Sequence, residues 1–124
     1  MPSHPILSSS QTRTEPHISL SNVQSYPVLL VMFDPDAPSA NNSYLHWLRL
    51  YKSSIDYTDI IPYMPPSPPP KTGRQNNSGK WFHEYIFQLY QNPIIPSVSK
   101  SRSDFNSHQY VGYRIAEDKF RVTL

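Results

Sequence analysis

Asp34-Pro35-Asp36-Ala37-Pro38-Ser39 closes the apolar run Val28-Leu29-Leu30-Val31-Met32-Phe33, and His46-Trp47 follows a short way on. Six apolar residues without alternation are too few for an isolated helix and read as a central strand covered on both faces. The two prolines fix φ and remove two backbone donors, so strand pairing must stop there. Two carboxylates are thereby held on a stiff turn at the mouth of a buried strand, which marks the edge of a polar pocket.

Working outward, Tyr44-Leu45-His46-Trp47-Leu48-Arg49-Leu50-Tyr51 returns as a strand. Strict alternation puts His46, Leu48 and Leu50 on one face, with Leu45, Trp47 and Arg49 on the other. Trp81 to Tyr90 is a second strong strand, with His83, Tyr85, Phe87 and Leu89 on one side and Phe82, Glu84, Ile86 and Gln88 on the other. Asn92-Pro93 and Pro96 stop it. Between these strands lies Tyr63-Met64-Pro65-Pro66-Ser67-Pro68-Pro69-Pro70-Lys71-Thr72-Gly73, where polyproline conformation is favoured.

The order of DPDAPS, HW, a proline-rich loop ending in TG, and H-x-Y-x-F-x-L-Y resembles the phosphatidylethanolamine-binding protein family, over roughly residues 16–93. That family includes plant flowering-time regulators and inhibitors of kinases and of serine carboxypeptidases. The resemblance implies an all-β fold: two antiparallel sheets in a Greek-key sandwich, few short helices and a small anion-binding pocket at one end. Carried over position by position, it implies a pocket lined by Asp34, Asp36, His46, Pro68, Pro69, His83 and Tyr85. The chain departs from the pattern in several places. The family's H-R-Y reads His83-Glu84-Tyr85, Asn41 replaces a tyrosine ahead of the histidine-tryptophan pair, and Arg74 to Lys80 reads as an insertion. The front is short, and the tail stops before the family's usual C-terminal helix.

The 124 residues bound the rest. A chain of this length is one domain that buries roughly two-thirds of its unfolded surface. Fourteen prolines against three glycines argue for stiff connections, while nine tyrosines, five phenylalanines and two tryptophans supply a pleated core. Without cysteine there are no disulfides and no thiolate metal sites, which fits a reducing compartment. Met1-Pro2-Ser3-His4-Pro5 lacks the basic and apolar regions of a signal peptide, and no apolar run reaches membrane-spanning length. These features set the expectation of a cytoplasmic protein without a transmembrane segment. They also make the sequons at Asn41 and Asn76 accidental.

A formal charge of +2 is too small to name a polyanion partner, although residues 71–124 carry eight basic and four acidic side chains against three and five in residues 1–70. Solvated basic surface around a loop is the reading, and no nucleic acid is expected.

Residues 1–14 form a flexible N-terminal tail, and 15–124 form the single domain. His17-Ile18-Ser19-Leu20-Ser21 alternates like a half-buried strand, Lys52 to Asp59 is a polar connection, and Ser103 could cap a short helix. Tyr110 to Ile115 and Lys119 to Val122 read as edge strand or turn.

Two imidazoles, two carboxylates and a tyrosine suit phosphate or a phospholipid headgroup: imidazole N–H and phenol O–H donate to phosphate oxygens, and a carboxylate accepts from an ammonium or fixes a histidine tautomer. The simpler reading makes Asp34 and Asp36 turn caps and the histidines structural. Two histidines and a carboxylate also match an iron or zinc ligand set, but no H-x-H pair supports one and no cofactor is called for. With no G-x-S-x-G elbow, catalysis is not expected. The expected protein is a non-enzymatic regulator acting on a kinase or protease. The alternative is an interaction or assembly factor with a degenerate pocket, whose Pro65 to Lys71 segment engages an SH3- or WW-type domain.

Overall fold

The structure, a computed structural model, describes residues 5–37, 43–94, 102 and 111–123. These residues are mainly β, and none of them is in an α-helix. In chain order the strands are β1 (Ile6–Leu7), β2 (Val28–Asp34), β3 (Tyr44–Tyr51), β4 (Tyr57–Ile61), β5 (Arg74–Gln75), β6 (Trp81–Ile94) and β7 (Val111–Thr123). All seven join one sheet of order β1-β7-β6-β2-β3-β4, with β5 on β6. Only β1 on β7 is parallel. The expectation of two packed sheets therefore reaches, among the described residues, only as far as the β content. No helix of the described residues is long and apolar enough to cross a membrane.

β2 is central, as its unalternating apolar run requires, and every one of its residues is buried. Its side chains divide by parity. Val28, Leu30 and Met32 join Trp47, Tyr51, Tyr85, Leu89, Phe120 and Val122 on one face. Leu29, Val31 and Phe33 join Leu45, Leu48 and Tyr90 on the other.

Several expectations change. Ile18 and Leu20 do turn inward, packing on the Trp47 face with Val23 and Tyr26, but residues 15–20 join no ladder. Alternation marks which side chains are buried, and it does not by itself supply a partner strand. β4 begins inside the polar connection, because Arg49 and Leu50 across the ladder accommodate Asp59 and Thr58. β7, where edge strand or turn was expected, is one long strand along β6, with β1 on its other side. β6 itself continues through Pro93 to Ile94.

The segment expected to be a tail meets the domain at several points. Ile6 and Leu7 pair with Arg121 and Val122, and the Pro5 carbonyl accepts from the Arg121 amide at 2.8 Å. The Tyr63 hydroxyl donates to the Thr12 carbonyl at 2.6 Å. The helix cap read at Ser103 and the tyrosine replacement at Asn41 lie outside the described residues.

On the outer part of the sheet, Arg49 gathers β3, β4 and the leading segment. It forks onto Asp59 at 2.7 and 3.1 Å and reaches Glu15 at 2.8 Å. Its guanidinium lies 3.8 Å from the Tyr57 ring centroid and 4.6 Å from that of Trp47. The Trp47 indole N–H also donates to Asp59 at 3.0 Å, and Arg49 with Trp47 lowers the Asp59 pKa.

Candidate functional site

One break in alternation decides where His46 points. Met32 opposes Trp47 and Phe33 opposes Leu45, so His46 is the extra residue of a β-bulge with no partner on β2. The bulge reverses the phase of the strand. Leu45 lies with Leu48 and Leu50 against the Phe33 cluster, while the His46 ring meets Tyr85 edge-on, with centroids 5.1 Å apart. The expected grouping of His46 with Leu48 and Leu50 is thus corrected: a period-2 count cannot register one inserted residue. The freed backbone is satisfied locally. The His46 carbonyl accepts from the Met64 amide at 2.8 Å and from Arg102 at 3.0 Å, and Arg102 also reaches the carbonyls of Leu45 and Pro62.

Asp34 ends β2 almost fully buried, and its two oxygens do different work. Because Pro35 has no amide proton, Oδ1 takes the next donor, the Asp36 amide, at 2.7 Å. Oδ2 lies 2.7 Å from His83 Nδ1. On the other side of that ring, Nε2 is 2.8 Å from Thr72 Oγ1, whose proton goes to the Pro69 carbonyl at 2.6 Å. One ring nitrogen thus faces a carboxylate and the other a hydroxyl. The chain Pro69–Thr72–His83–Asp34–Asp36 fastens the proline-rich loop to the end of β2. Both His83 nitrogens are used by it.

His46 is built differently. Its Nδ1–H donates to the Met64 carbonyl at 2.7 Å, which fixes the tautomer and leaves Nε2 with no partner among the described residues. Burial lowers its pKa below the ordinary 6.5, against the opposing pull of the Met64 carbonyl and the Asp34 charge. At neutral pH Nε2 is therefore a lone-pair acceptor. Tyr85, beside it, is held well above the usual phenol range by burial, then by the charges of Asp34 and Asp36 and a hydrogen bond to Asp34, so its hydroxyl keeps its proton.

These side chains surround a cavity of about 190 Å³ lined by Asp34, Ala37, Tyr44, His46, Met64, Pro65, Ser67, Pro68, Pro69, His83 and Tyr85. Six of the seven residues expected in the pocket are there. Asp36 is not: its carboxylate accepts from the Glu84 amide at 2.9 Å and pairs with Arg74 Nε at 3.0 Å. The reason is the supposed insertion. Arg74 and Gln75 form β5 against Phe82 and Trp81, and this hairpin brings Arg74 to both Asp36 and Glu84. Glu84 is buried between Arg74 at 3.2 Å and Arg121 at 3.6 Å.

Thr72, Arg74, Arg102 and Tyr44 were not foreseen as site residues. Thr72 had a signal in the closing TG of the proline-rich loop, and Tyr44 stands two positions before His46, its ring 5.2 Å from the imidazole. Arg74 and Arg102 had none, because each acts across a long sequence separation. Among the described residues no cluster of three or more histidine, aspartate or glutamate side chains is arranged to hold a metal ion. No protein-family model matches the chain.

Proposed function

We propose that the chain is a short, divergent member of the phosphatidylethanolamine-binding protein family, built on that family's two-sheet Greek-key sandwich, and that it is a non-enzymatic cytoplasmic regulator. Its cavity takes phosphate or the phosphate of a phospholipid headgroup, and the occupied protein modulates a kinase or a protease. The observation that carries this reading is the unclaimed His46 Nε2 beside a protonated Tyr85 hydroxyl, in a small cavity walled by Pro68 and Pro69. A phosphate monoanion can donate its own O–H to Nε2 and take the Tyr85 hydroxyl proton over from Asp34 as acceptor. Protonated His46 and a dianion reach the same arrangement. Either way the complex holds one proton between ring and phosphate, so affinity falls as pH rises. The Asp34 carboxylate is already turned to partners within the protein, the Asp36 amide and the His83 ring. With so few donors, binding is weak, with a Kd of roughly 1–10 mM.

The test is a titration with inorganic phosphate and with phosphoethanolamine, following the histidine ring protons by NMR. Saturable movement of the His46 resonances, reduced in Tyr85→Phe, is the expected result, tighter at pH 6 than at pH 8. A His46 signal that does not move at about 50 mM phosphate, several times that Kd, would refute the pocket.

A second reading, an interaction or assembly factor with a degenerate pocket, draws on one observation: Asp34, Asp36 and His83 are all engaged within the protein. Its proposed SH3- or WW-type ligand segment, Pro65 to Lys71, has Pro66 and Pro68 buried, so only part of it is presented. Binding to a panel of such domains with an unresponsive His46 would favour it.

A further inference from the structure

Adjoining the phosphate cavity, with Pro68, Pro69 and His83 common to both linings, is a groove of about 240 Å³ that also includes Lys71, Thr72, Gly79, Lys80, Trp81 and Val122. Its two lysines belong to two different loops. Lys71 leaves the proline-rich segment with a φ of 56°, and Lys80 ends the turn of the β5–β6 hairpin. A non-glycine residue in the left-handed region costs energy, and such outliers cluster where a side chain has to be presented in one place.

The nearby arginines are committed elsewhere, Arg74 to Asp36 and Glu84 and Arg121 to Glu84. Lys71 and Lys80 are exposed and have no ion pair among the described residues. The groove between them is apolar, with half-buried Trp81 and buried Val122.

We propose that this groove docks an acidic peptide segment of a partner protein, an apolar side chain resting on Trp81 and Val122 while flanking carboxylates meet Lys71 and Lys80. The charge complementarity is local and two-sided, which suits an extended chain carrying acidic residues on either side of an apolar anchor. A membrane is the weaker match. Two cations attract an anionic leaflet feebly, and the apolar surface is recessed instead of protruding. The proposal holds whether or not the neighbouring cavity binds phosphate, since the two sites have separate reporters, His46 and Trp81.

Trp47 is fully buried, so a change in indole fluorescence on peptide addition reports Trp81. The probe is a synthetic peptide with one central leucine flanked by glutamates, and the control replaces the glutamates with glutamines. Expected is a saturable change with a Kd of roughly 0.1–1 mM for the acidic peptide. It should weaken as salt rises from about 50 to 300 mM. It should also be at least tenfold weaker in a doubly substituted Lys71→Glu, Lys80→Glu protein whose melting midpoint is unchanged. Lys80→Gln alone, on an exposed turn, provides a milder variant with a smaller loss.

Equal binding of the glutamine peptide would overturn the proposal, as would full affinity in the double variant. So would no saturation by about 10 mM peptide, a concentration well above that range. Sedimentation with phosphatidylserine vesicles, without peptide binding, would overturn it in favour of a lipid surface.

Discussion

Replacing Gly73 with alanine tests the fastening of the proline-rich loop more directly than any change in the cavity. Gly73 has a φ of +88°, and a Cβ built there would lie 2.4 Å from the Phe82 carbonyl oxygen and 2.5 Å from His83 Cδ2. Neither neighbour yields cheaply. The oxygen is backbone of β6 where it pairs with β5, and the His83 ring is held from both sides by Asp34 and Thr72. The left-handed conformation costs an alanine about 1–2 kcal/mol. Overpacking against a rigid site adds about 1–3 kcal/mol, for a total near 3–4 kcal/mol.

Gly79 provides the control. Its φ is +77°, but the nearest atom to an added Cβ is the Gln75 amide nitrogen at 4.0 Å. Gly79→Ala should lose the conformational part alone, about 1 kcal/mol. At roughly 4 °C per kcal/mol for a chain of this size, the midpoints should fall by about 14 °C and 4 °C. Urea denaturation would measure both differences, and the His83 ring resonances would show whether its bond to Thr72 survives in the folded variant. Equal losses at the two glycines, or a larger loss at Gly79, would refute the close packing of the Thr72 turn on His83.

Asp34→Ala removes the partner of a buried ring nitrogen and the acceptor of the Asp36 amide, and should cost about 3–5 kcal/mol in urea unfolding. A loss below about 1 kcal/mol would mean that the His83–Asp34 contact is not a structural fastening. Arg74→Gln leaves Asp36 and Glu84 without their shared cation. Because the Arg74 side chain is 47% exposed, a loss of only about 1 kcal/mol is expected. A loss of that size should largely vanish in an Asp36→Asn background if the Arg74–Asp36 pair carries it, and would persist in full if it does not.

Stability should also depend on pH through His46. Its folded pKa lies below the ordinary 6.5, so between those two values the unfolded chain holds more protons. Stability then falls as pH drops through that window and is flat with respect to this group above it. His46→Gln should remove that component of the slope between pH 7.5 and 5.5, and parallel curves for the two proteins would contradict it.

How far the sequence could be read depended on the reach of each signal. The apolar run of β2, the alternation of Trp81 to Tyr90 and the proline stop after Phe33 are local, and each element formed where its own residues demanded. Asp34, His46, His83, Tyr85, Pro68 and Pro69, which the resemblance implied as pocket residues, line one cavity. β7 was obscure because its exposed stretch, Tyr113 to Asp118, mixes apolar and charged residues without sustained alternation and its ladder is supplied by β6.

The sequence by itself determined that β2, β3 and β6 are strands with buried faces and which side chains could meet at their ends. The tertiary structure decided what those side chains are free to do. A bulge on β3 turned His46 toward Tyr85, the β5 hairpin drew Asp36 away to Arg74, and Thr72 occupied the second nitrogen of His83. Side-chain periodicity is a property of a few consecutive residues. Ladder register, bulge position and the partner of a buried polar atom are settled between segments that lie far apart in the chain.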